Sequence, residues 1–144
     1  MADFATFDID AFAGEVSAFV MGLARESERA AVVLGAARLD VGLENVLMRS
    51  MRHCPGGSDN LFDSERPLAS FSAKISIAHR LGLIDDEIER SLQLIRRIRN
   101  SFAHSIETET LSESAHKNRL AEVHRACEQQ SPLYTKLTEL YVNR

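Results

Sequence analysis

Residues 67–104 read PLASFSAKISIAHRLGLIDDEIERSLQLIRRIRNSFAH, and their reading decides the fold. Apolar residues recur here at helical spacing, never in the period-2 alternation of a strand. The spacing predicts one helix from about Leu68 to Leu81. Gly82 then suits the left-handed residue just past a helix end. Asp85 reads as the N-cap of a second helix, from about Asp86 to His104. The acids of its first turn match the positive end of the helix dipole. On a wheel of ~100° per residue, Ile84, Ile88, Ile95, Ile98 and Phe102 share one apolar arc.

The same period extends outward in both directions. A helix is expected from about Asp10 to Ala24, with Phe12, Val16, Phe19, Val20 and Leu23 on one face and Asp10 as N-cap. Another is expected from about Ser27 to Met51, with the stripe Ala36, Leu39, Leu43, Val46 and Leu47. Its Ala-rich first half would let a neighbour approach closely. Residues 52–67, RHCPGGSDNLFDSERP, hold two of the three prolines and two of the seven glycines, which is loop composition. A loop of that length is uncommon inside a compact domain and marks a functional or mobile segment. Downstream, Thr110-x-x-Glu113 fits a capping box for a helix over about 111–130. Ser131-Pro132 fits the start of a sixth. The expectation is an all-α, single-domain bundle of about six helices over residues 1–144, with no internal repeat.

Composition agrees with one globular domain. The 144 residues are 44% hydrophobic and 26% charged, which excludes disordered and low-complexity classes. No apolar run approaches the ~18 residues of a membrane span. The acidic start MADFATFDID is unlike a basic signal peptide, so a cytoplasmic location is expected. Cys54 and Cys127 form no C-x-x-C and read as free, reduced thiols. The 17 basic and 21 acidic residues give a net charge of −4. Asp3, Asp8, Asp10 and Glu15 account for that −4, because residues 1–24 contain no Lys or Arg. No global basic field exists to release counterions from a nucleic acid.

Residues 74–93 imitate a helix-turn-helix, with Ala78, Gly82 and Ile88 at its small, turn and packing positions. The end that would enter the major groove carries Asp85, Asp86, Glu87 and Glu89, all facing phosphate. Direct DNA reading is therefore not expected.

The last turns of the helix ending at His104 present Arg96, Arg97, Arg99, Asn100 and His104. Arg96, Asn100 and His104 fall at i, i+4 and i+8, a continuous polar stripe. The spacing R-N-x-x-x-H sets Arg99 and His104 about 140° apart around the helix, able to flank one object from two sides. Two readings are open. In the chemical one, His104 is an acid or base and Arg99 steadies a phosphate, as metal-independent RNA cleavage requires. In the structural one, both are partly buried and bond other helices. Asp40, beside an apolar stripe, needs a donor, and Arg99 or His104 would supply it.

Other patterns carry less. His116 and His124 lie eight residues apart, too far along a helix to share a metal, and no H-E-x-x-H occurs. His53-Cys54 lacks a second ligand pair, and His79 reads as a helix-surface residue. No nucleotide-binding or nucleophile-elbow motif is present, and the motifs call for no metal or cofactor.

Residues 26–40 (ESERAAVVLGAARLD), 60–62 (NLF) and 67–104 resemble the mannitol operon repressor family of bacterial regulators, with the similarity running over about residues 12–130. The resemblance implies an all-helical domain that represses transcription indirectly, as part of a larger complex, without a recognised DNA-binding motif. The R-N-x-x-x-H residues Arg99, Asn100 and His104 also resemble the signature of HEPN domains, a group that includes RNases in which two protomers share one cleft. The expected function is thus a repressor-like regulator working through a protein partner, self-associating, with no membrane contact. Its binding residues would be Arg96, Arg99, Asn100, His104 and Asp40. The alternative is a HEPN-like RNase or nucleotide binder that uses His104 and Arg99.

Overall fold

Capping side chains set the helix boundaries. Ser27 Oγ accepts from Ala30 N at 3.2 Å, Ser70 Oγ from Ala73 N at 3.1 Å, and Asp85 Oδ1 from Ile88 N at 2.8 Å. Each cap satisfies an amide that the first helical turn leaves unpaired. The computed structural model describes residues 9–56, 59–106 and 109–130. They form five helices and no strand: α1 Ile9–Leu23, α2 Glu28–Ser50, α3 Phe71–Arg80, α4 Asp86–His104 and α5 Ser114–Gln130. The sixth helix expected after Ser131 lies outside the described residues.

The turn between α3 and α4 follows from Gly82, whose φ of 71° costs an L side chain energy but not glycine. Leu83 N donates to Ala78 O and Gly82 N to His79 O, both at 2.9 Å. This is the paired closure of a helix that ends in a left-handed residue.

Two helices start later than their apolar patterns suggest. α3 begins at Phe71 rather than Leu68, because Ser70 takes the cap. α5 begins at Ser114 rather than 111. Glu113 Oε1 accepts from Thr110 N at 3.3 Å, so half of the expected capping box forms. The Leu111 amide, however, donates to Glu28 Oε2 of α2 at 2.8 Å. That contact holds residues 110–113 against α2 as a turn.

α4 is the central element and packs against α2, α3 and α5, while α1 packs against α2. The main core joins Leu43 and Leu47 of α2, Phe71, Ile75 and Ala78 of α3, and Leu92 of α4. Phe62, from the 52–67 segment, packs against it. Ile98 and Phe102 extend burial toward the C-terminal end of α4.

The apolar faces differ in part from the expected ones. Ile88 is 41% exposed, while Leu92 and Leu94 are buried. With neighbours on two sides, α4 needs a wider apolar face than one stripe provides. On α2 the core face is Ala36, Leu43 and Leu47; Leu39 and Val46 lie to one side and stay partly exposed. Leu34, Val41 and Met48, seven residues apart, are exposed on the outer face of α2. Among the described residues, no helix is long and apolar enough to cross a membrane.

Candidate functional site

The polar residues of α4 spread over the helix instead of converging. Arg96 Nε donates to Gln93 Oε1 at 2.8 Å, one turn back. Arg97 is exposed. Arg99 is half-buried and lines a cleft of about 210 Å³ with Val33, Ala36, Ala37 and Asp40 of α2 and Phe71 of α3. Asn100 is half-buried and His104 is exposed on the last turn. Arg99 thus faces the α2–α3 side while His104 faces solvent, and one chain does not bring the two around a common enclosed site.

The expected bond from Asp40 to Arg99 or His104 is replaced by another. Asp40 Oδ1 lies 2.9 Å from Lys74 Nζ, and Glu44 Oε2 accepts from the same ammonium at 2.8 Å. Asp40 and Glu44 stand four residues apart on one face of α2, so both carboxylates reach one point on α3. Lys74 is only 4% exposed, and its Nζ also sits 5.9 Å from the Phe62 ring centroid. Burial opposes its charge; the Glu44 and Asp40 carboxylates outweigh burial and hold its pKa above the usual 10.5. Sequence reasoning found Asp40 but missed Lys74. The available signal was the Asp40–Glu44 spacing beside the core stripe, which asks for a cation from a neighbouring helix.

The denser polar cluster lies behind the R-N-x-x-x-H motif, on residues that reading passed over. Phe102 is fully buried and its ring stacks at a tilt of 44° on His116 of α5, with centroids 5.3 Å apart. His116 is itself 2% exposed. Its Nε2 lies 2.6 Å from Glu109 Oε1, and the Ser101 hydroxyl donates to the same carboxylate. These bonds from Ser101 and His116 hold the Glu109 carboxyl below the usual carboxylate value. Arg119 approaches His116 Nδ1 at 3.5 Å. Arg29, from the first turn of α2, donates to Phe102 O at 2.6 Å and Ser105 O at 3.1 Å. Its guanidinium therefore closes the negative end of α4. Ser101, Phe102, Ser105, Glu109, His116 and the start of α2 are thus tied together. Comparing His116 only with His124 concealed this, because its partner Glu109 comes from the preceding segment.

The turn into α4 is acidic. Asp86 is almost fully exposed and lies 2.7 Å from His79 Nε2. Glu87 accepts from Gln130 of α5, and Arg90 pairs with Glu122. A shallow depression at this turn is lined by Asp85, Asp86 and Glu87. Ile88, at the packing position of a helix-turn-helix, is not in the core. Comparison with family models, with curated proteins and with solved structures finds no match for this chain.

Proposed function

We propose that this chain is a helical regulator of the mannitol operon repressor kind, which acts through contact with another protein and does not read DNA itself. The observation that carries this reading is the charge at the turn into α4. A groove-reading helix would present this end to phosphates, and here it offers Asp85, Asp86, Glu87 and Glu89. The proposed contact surfaces are the 52–67 segment and the polar end of α4, where Arg97 and His104 are exposed beside half-buried Arg96 and Asn100. An affinity capture from lysate with the full chain as bait tests this. One defined partner should be recovered, and the variant Arg97→Glu with His104→Ala should lose it while melting like the parent. Recovery of that partner unchanged would remove the polar end of α4 from the contact.

A second reading rests on the exposure of His104, which leaves its imidazole available to a ligand. On that reading the chain is a HEPN-like RNase, with His104 as acid or base and Arg99 as phosphate partner, the cleft being completed by a second protomer. Pure protein would then cleave RNA in the presence of a chelator, and His104→Ala would abolish cleavage. Absence of cleavage by the parent, or cleavage unaffected by His104→Ala, ends this reading.

A further inference from the structure

Among the described residues, Glu109, Glu113 and His116 bring one ligand atom each to within 4.8 Å of one another. Glu113 and His116 are three residues apart at the start of α5, so the carboxylate and the imidazole lie on the same side of the helix. Glu109 reaches them from the segment after α4. The three groups differ in exposure: His116 is buried, Glu109 nearly so, and Glu113 open to solvent. Glu109 Oε2 is buried and has no hydrogen-bond partner among the described residues. A buried carboxylate oxygen with nothing to accept is costly in a packed structure and asks for a cation or a donor.

We infer that Glu109, Glu113 and His116 form a binding site for a divalent cation of the zinc class. One imidazole with two carboxylates suits zinc-like ions, whereas magnesium and calcium prefer all-oxygen sets. Ligands at ~2.1 Å from a tetrahedral ion stand about 3.4 Å from each other. The Glu113 carboxylate therefore moves inward, which its exposed position permits. With Glu109 offering its unpartnered Oε2, the 2.6 Å contact between His116 Nε2 and Glu109 Oε1 gives way as the ion takes Nε2. An ion on Nε2 would leave Nδ1 facing Arg119, now at 3.5 Å, which would then withdraw. Ser101 keeps its bond to Glu109 and orients the carboxylate, as a supporting contact to a metal ligand does. The fourth position opens to water at Glu113, so the bound ion would fasten the start of α5 to the segment that follows α4.

The test is a titration of the full chain, stripped with a chelator, with Co²⁺ and then Zn²⁺. Cobalt should saturate at one equivalent, with the visible absorption of a nitrogen–oxygen site and a higher melting temperature, and zinc should displace it. His116→Ala removes a buried ring and can fail to fold, so Glu113→Gln carries the decision. It should leave the metal-free melting temperature unchanged while weakening binding at least ~10-fold, and Glu113→His should restore it. No saturable cobalt signal up to ~1 mM would overturn the inference. So would parent-like binding by Glu113→Gln, or a thiolate-to-cobalt band, which would place the ion on Cys54 or Cys127.

Discussion

The ammonium of Lys74 lies at the seam of α2 and α3, so its neutralisation should be worth measuring in detail. The perturbation is Glu44→Gln, Asp40→Asn and the two together. Lys74 is 4% exposed, while the Asp40 and Glu44 side chains are 30% and 31% exposed. A hydrogen bond to a charged group contributes about 1.5–3 kcal/mol. One-third exposure of the carboxylates lowers that, so each single change should cost about 1–2 kcal/mol. The double variant leaves a buried cation with no counter-charge and should cost about 3–4 kcal/mol. For a chain of this size that is roughly 10 °C in melting temperature. Lys74→Met should cost about 1 kcal/mol or less, because both acids can then hydrate at their exposed edges. Urea unfolding of the four variants, closed as a double-mutant cycle, gives the numbers. The sign of the pH dependence follows from the raised pKa of Lys74. Its contribution is complete below the usual 10.5 and is lost as pH rises through the higher folded value. The gap between parent and Lys74→Met should therefore be flat around neutral pH and change in strong alkali as the ammonium loses its proton. A double variant within about 0.5 kcal/mol of the parent would refute the reasoning. A Lys74→Met cost exceeding that of the double variant would do the same, since it would assign the stability to the lysine stem rather than to charge pairing.

Other substitutions probe the elements that position the candidate site. Arg29→Ala should cost about 1–2 kcal/mol by uncovering the Phe102 and Ser105 carbonyls; hydrogen exchange should rise in the last turn of α4, and Arg29→Lys should restore only part of the loss. Phe102→Ala should cost about 3–5 kcal/mol in denaturant melts, because it empties a fully buried ring site against His116. Gly82→Ala forces a Cβ into a left-handed φ with open space around it, so thermal melting should show a loss of about 1 kcal/mol from backbone strain alone. His104→Ala, on an exposed last turn, should change unfolding free energy by less than about 0.5 kcal/mol.

Features set by a few neighbouring residues were legible before the structure. Asp85 caps α4 and Gly82 ends α3, because each acts on backbone three or four residues away. Features set by distant partners were not. Lys74 is one polar letter on an amphipathic helix until α2 brings Asp40 and Glu44 to it from 34 and 30 residues away. His116 is weighed in the sequence only against His124, while its burial comes from Phe102 and Glu109. The apolar arc of α4 was misjudged for a similar reason. Leu92 and Leu94 serve neighbours on two sides, whereas a single stripe assumes one. The R-N-x-x-x-H residues were found by spacing, but spacing could not show that Arg99 turns into the α2–α3 cleft while His104 stays outside.

The claim on which the functional account rests is that the acidic turn into α4 keeps this chain off nucleic acid. A fluorescence-anisotropy titration of pure protein against promoter duplex, repeated between ~50 and ~200 mM salt, tests it directly. The account predicts no saturable binding across the series. Tight binding that weakens steeply with salt, with log K falling several-fold faster than log salt, would contradict it.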